Sequence, residues 1–104
     1  MGAQLVKDKD SILQRYARVL KVLGNPLRLK IVTALMEKRC RVGKLTDCVN
    51  EKLPIISQQI AILRKEGLIE GDRDKNSIKY RIKDRFTKNL IQFVLKELNK
   101  ENDY

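Results

Sequence analysis

In this chain of 104 residues the spacing of apolar side chains changes at Gly67 from about 3.6 to 2, a switch from helical to strand period that few folds accommodate. Upstream, KLTDCVNEKLPIISQQIAILRKEGLI (Lys44 to Ile69) reads as a helix, a tight turn and a second helix. In the second helix Ile56, Ile60 and Leu63 recur at i, i+4 and i+7 and face a core, which leaves Ser57, Gln58, Gln59, Arg64 and Lys65 outside. Pro54 falls in the opening turn, where its missing N–H is tolerated, and Gly67 suits the left-handed residue that closes a helix. Downstream, GDRDKNS is rich in turn residues, and Ile78, Tyr80 and Ile82 then alternate with Lys79, Arg81 and Lys83. This predicts a two-stranded hairpin with one apolar and one cationic face. A lone hairpin is marginal in water, so it must rest on the helices.

The flanking segments supply those helices. Residues 8 to 23 carry Ile12, Tyr16, Val19 and Leu23 on one stripe with Leu13, Ala17 and Leu20 beside it, and Asp8, Asp10 or Ser11 is available as a cap. Gly24 and Asn25 break the pattern. Pro26 opens a helix to about Lys38 that buries Leu29, Ile31, Val32, Leu35 and Met36, with Arg28 and Lys30 near its solvent side. Arg39 to Val42 alternate for one or two strand residues, and LTDCV is a short helix anchored by Leu45 and Val49 and ended by Asn50. From Asp84 to about Asn99 a last helix carries Phe86, Leu90, Phe93 and Val94, widened by Ile91, Leu95 and Leu98, before a frayed tail, NKENDY. The expected class is mainly α (α+β), about five helices and one hairpin, in a single domain over residues 1–104.

The charge is lopsided: 23 Lys+Arg against 13 Asp+Glu give a formal +10, which points to nucleic acid or an anionic membrane surface as partner. No apolar run approaches the roughly 20 residues of a membrane span, and MGAQLVKDKDS lacks the apolar core of a signal peptide. A soluble, cytoplasmic protein without a membrane partner is expected. Cys40 and Cys48 are expected as reduced thiols. Arg39, Arg41 and Lys44 would favour the thiolate of Cys40, so the two are candidates for a redox role, the alternative being two small, partly buried apolar residues. The chain has no histidine, no glycine-rich phosphate loop and no supported pair of carboxylates, so no catalytic residue, metal site or cofactor is expected. The outer face of the second helix suits double-stranded DNA instead. Gln bonds an adenine edge bidentately, Ser bonds a base or a phosphate, and Arg64 and Lys65 can neutralise phosphates. The alternative is an ordinary solvated helix face.

The order helix, helix, helix-turn-helix, basic hairpin and terminal helix resembles the winged-helix fold. VLGNPLRLKIVTAL (Val22 to Leu35), ISQQIAILRKEGLI (Ile56 to Ile69) and IKYRI (Ile78 to Ile82) together resemble the ArsR/SmtB family of repressors. The resemblance implies that Ser57, Gln58 and Gln59 hold DNA-reading positions, Gln59 standing where many members carry His, and that Arg73, Lys75, Lys79 and Arg81 belong to the wing. It implies a dimer interface made by the terminal helices, about 8–23 and 84–99. The implied function is a dimeric, sequence-specific transcriptional regulator, a repressor of a palindromic operator, with no effector specified. RCRVGKLTDC has Arg41 and Gly43 where one of the family's metal sites has ligands, and a second site needs the histidine this chain lacks. The competing reading is a winged-helix module for protein–protein contact or non-specific nucleic-acid binding, in which the charge matters and the glutamines do not.

Overall fold

A computed structural model describes residues 9–37 and 44–102, with only the backbone of Asp74 and Asn102. Its elements are α1 (Asp10–Leu23), α2 (Pro26–Met36), α3 (Leu45–Cys48), α4 (Leu53–Lys65), β1 (Ile69–Asp74), β2 (Ser77–Ile82) and α5 (Arg85–Asn102). This is the expected mainly helical arrangement with one antiparallel hairpin. The strand residues expected between Arg39 and Val42 lie outside the described residues.

The middle of the fold is α2. Ile31 and Val32 have no exposed surface, and the helix packs against α1, α3, α4, β2 and α5. Its start is fixed by Asn25, read from the sequence only as a breaker: the side-chain Oδ1 accepts from the backbone N–H of Leu27 and of Arg28, both at 3.0 Å. Pro26 follows, with no N–H to leave unpaired. Around α2 the core is completed by Leu23, Leu45, Ile56, Leu63, Leu68 and Ile91.

Two boundaries differ from expectation. Helix α1 begins without a side-chain cap: Lys9 holds the cap position, and Asp10, already inside the first turn, accepts from Gln14 Nε2 at 2.8 Å, while Asp8 lies outside the described residues. Helix α5 runs through Asn102, so most of the tail expected to fray is helical, and Lys100 in its last turn complements the helix dipole. The start of α5 has a well-made cap. Asp84 Oδ2 accepts from the backbone N–H of Thr87 at 2.9 Å and from its hydroxyl at 3.0 Å, which satisfies a side chain with no exposed surface.

Three backbone turns place the second half of the chain. Asn50, with φ 54°, closes the turn between α3 and α4, a conformation that Asn tolerates better than most residues. Gly67, with φ 79°, ends α4: its N–H bonds the carbonyl of Arg64 and the next N–H, of Leu68, bonds the carbonyl of Leu63, each at 3.0 Å. At the far end of the hairpin, Lys75 (φ 58°) and Asn76 form the link between Asp74 and Ser77.

Asn25→Ala should lower stability by about 1 kcal/mol in urea unfolding, because two N–H groups lose their acceptor. Asn25→Asp should hold or slightly raise the midpoint, since a carboxylate accepts equally well and faces the positive end of the dipole. An unchanged midpoint for the alanine variant would remove the cap from the account of what fixes α2.

Candidate nucleic-acid interface

The outer face of α4 carries Ser57, Gln58, Arg64 and Lys65, all exposed, while Ile56, Ile60 and Leu63 are buried, as the periodicity required. Two apolar residues join them at the leading end: Leu53 is 56% exposed and Ile55 37%. The sequence reading passed over both: Ile55 falls outside the buried stripe, whereas Leu53, three residues before Ile56, continues that stripe but is exposed in the first turn of the helix.

Gln59 differs from its two neighbours. It is half-buried, and its Oε1 accepts a hydrogen bond from Arg28 Nη1 at 3.1 Å. Arg28, expected near the solvent side of its helix, is itself half-buried and also donates through Nε to the carbonyl of Val22 at 2.8 Å. One guanidinium thus joins the end of α1, the first turn of α2 and the middle of α4.

The hairpin departs from its expected charge. The register sets Glu70 opposite Arg81 and Asp72 opposite Lys79, so all four share one face. Arg81 holds both carboxylates, with Nη2 at 2.6 Å from Glu70 Oε1 and Nε at 2.8 Å from Asp72 Oδ2. A face read as cationic from β2 alone is therefore balanced by β1. Both pairs are solvent-exposed and of the kind worth roughly 0–1 kcal/mol, so they are readily exchanged for other partners. Arg73 pairs with Ile78 on the opposite face, and Lys75 sits in the turn at the tip. Lys79 and Arg81 thus share one face with acids, while Arg73 and Lys75 lie away from it.

The hairpin's other face explains how the wing is held. Gly71 lies opposite Tyr80, and a Cβ there would come within 2.8 Å of Tyr80 Cε1 and 2.9 Å of Ile78 Cγ2. The ring occupies the room that glycine leaves. The Arg64 guanidinium stands 5.9 Å from the centre of the same ring, within cation–π range, so Tyr80 links the wing to the last turn of α4.

The terminal helices keep large apolar side chains in solvent: Ile12, Leu13 and Leu20 on α1, and Phe93 and Leu98 on α5. Tyr16 and Phe86, placed by sequence on the same stripes, stack on each other within the protomer, with centroids 3.9 Å apart and ring planes 7° from parallel. Those two rings tie α1 to α5 and are spent inside one chain.

Cys48, at the end of α3, is disulfide-bonded, where a reduced thiol was expected; Cys40 lies outside the described residues, as do Arg41 and Gly43, the positions compared with metal ligands. Among the described residues no cluster of His, Cys, Asp or Glu could hold a metal ion, and no helix is long and apolar enough to cross a membrane.

Gly71→Ala should displace Tyr80 and loosen the wing while leaving the helical core intact. In amide NMR spectra the shifts should be concentrated in β1, β2 and the last turn of α4; changes spread evenly over the protein would contradict a local role for this glycine.

Comparison with known proteins places this geometry in context. Residues 25–70 match the family model described as bacterial regulatory protein, arsR family. A biofilm growth-associated repressor of Xylella fastidiosa is 34% identical over 76 residues, which span 73% of this chain and 67% of that protein. Among solved structures, the transcriptional regulator HlyU of Vibrio vulnificus superposes with a TM-score of 0.78 at 25% identity, covering 88% of this chain and 95% of that one. A homodimeric winged helix-turn-helix DNA-binding domain from Mycobacterium bovis gives a TM-score of 0.71 at 26% identity, with 91% and 88% covered.

Proposed function

Because this chain belongs to the ArsR family of bacterial regulatory proteins, we propose that it is a dimeric, sequence-specific repressor that binds a palindromic operator in double-stranded DNA and acts in the cytoplasm. The observation that carries this reading is α4, a helix with a buried apolar stripe and an exposed face of Ser57, Gln58, Arg64 and Lys65, braced at its end by a hairpin. Its leading turns would enter the major groove, with Ser57, Gln58 and Gln59 toward base edges and Leu53 and Ile55 available to thymine methyl groups. Arg64, Lys65, Arg73, Lys75, Lys79 and Arg81 would meet phosphates. Arg81 would do so by releasing Glu70 or Asp72. The chemistry is recognition, with no reaction to catalyse.

The dimer reading rests on the exposed apolar residues of α1 and α5, which a second copy would cover about a two-fold axis. A double variant, Leu20→Glu with Phe93→Glu, should sediment as a monomer and lose operator affinity with the interface. Wild-type protein that stays monomeric at micromolar concentration in the ultracentrifuge would rule this interface out.

Base contacts and phosphate contacts should separate in binding assays. Gln58→Ala or Gln59→Ala should bring operator and random duplexes closer by roughly 1–3 kcal/mol. Removal of Arg73, Lys75 or Lys79 should weaken binding to every duplex and lower the salt slope by about 1. The double change Glu70→Gln with Asp72→Asn should raise affinity for all duplexes, by freeing Arg81. The same titrations with and without reductant test the redox role of Cys40 and Cys48, which requires binding to change when the disulfide at Cys48 is opened. If both glutamine variants leave the operator-to-random ratio untouched, the reading that remains is a winged helix for protein contact or non-specific nucleic-acid binding.

A further inference from the structure

We propose that Arg28, a residue of α2 outside the recognition helix, sets which base Gln59 reads. The proposal rests on the DNA-reading role given to Gln59 and adds its chemistry. Arg has five N–H donors and no acceptor, so the atom of the Gln59 amide that meets it must be the oxygen. The Arg28 Nη1 to Gln59 Oε1 bond of 3.1 Å therefore fixes the amide one way round. The NH₂ group is left as the free end. No buried side-chain nitrogen or oxygen lacks a partner among the described residues, and Gln59 Nε2 bonds to none of them, so this group is open to solvent.

Arg28 can impose that orientation because it is itself anchored. Its Nε donates to the Val22 carbonyl at 2.8 Å, and its own backbone N–H is held by the Asn25 cap at 3.0 Å. Among the described residues no carboxylate pairs with it, so the amide oxygen and the carbonyl are its hydrogen-bonding partners.

The consequence is a change of code. A free glutamine matches adenine by accepting from N6 and donating to N7. Here the oxygen is turned toward Arg28, and the end offered to the groove is a double donor. Among major-groove edges, guanine presents two adjacent acceptors, O6 and N7, whereas cytosine presents a donor. Gln59 held by Arg28 therefore selects guanine, and Arg28 acts as a positioning residue without touching the base.

The test begins with duplexes selected from a random library by the wild-type protein, scored for base preference at each position. Gln59→Ala identifies the position Gln59 reads, as the one where preference collapses. Wild-type protein should prefer guanine there over adenine and cytosine by on the order of tenfold. Arg28→Ala should erase the guanine-over-adenine preference at that position alone, with preferences elsewhere unchanged, a pattern that loss of stability does not produce. Arg28→Lys, which keeps the charge but not the fork, should restore overall affinity more than it restores the guanine preference. Gln59→Glu keeps an acceptor for Arg28 and does not require Arg28 to be removed; it should turn the preference toward cytosine, whose N4 donates. If Gln59→Ala levels no position, the DNA-reading role of Gln59 itself falls. If it levels one position where wild type prefers adenine, or where Arg28→Ala changes nothing, the role of Gln59 stands and that of Arg28 is overturned.

Discussion

The fold depends on α2, which packs against α1, α3, α4, β2 and α5 and leaves only a narrow solvent edge at Pro26 and Lys30. A helix in that situation lacks a broad polar stripe to tell it which way to face, so hydrophobic burial alone leaves its rotation loosely specified. The polar contacts of its first turn supply what burial does not. Asn25 fixes where the helix starts, and the half-buried Arg28 donates to the Val22 carbonyl and to the Gln59 amide, which ties that first turn to α1 and α4. The same contacts that orient the core helix also set its relation to the helix that faces outward.

Much of this was legible in the sequence because period is a physical requirement. Ile56, Ile60 and Leu63 had to share a face, the change of period at Gly67 had to end a helix, and both appear as read. What could not be read depends on pairing across distance. The balanced face of the hairpin follows from the register of β1 against β2, and no pattern within β2 announces Glu70 and Asp72 as its neighbours. Arg28 and Gln59, thirty-one residues apart, look like two solvent-facing polar residues until the crossing of α2 and α4 is known. Tyr16 and Phe86 were assigned to apolar stripes on the right helices but not to each other, because a stripe does not say which of its members meets the chain's own other end.

The distribution of charge is more selective than the formal +10 suggests. Where the hairpin carries its acids, Arg81 is already engaged, and the cations clear of that face are Arg73 beside Ile78 and Lys75 at the tip. The last turn of α4 adds Arg64 and Lys65, so positive charge that no carboxylate among the described residues engages lies on α4 and toward the tip of the hairpin. Exposed pairs contribute little to folding, so Glu70 and Asp72 act chiefly on how strongly the protein holds a polyanion.

The absent side chain at Gly71 has a mechanical consequence. Tyr80 settles into that space and lies under Arg64, so the hairpin is held against the end of α4 by a packed ring instead of hanging from a hinge. Two probes joined in this way keep a fixed offset, like the jaws of a locked caliper. On a duplex, any mismatch between that offset and the path of the groove must be absorbed by the nucleic acid. Base steps that the protein never touches then enter its selectivity through how easily they bend or narrow.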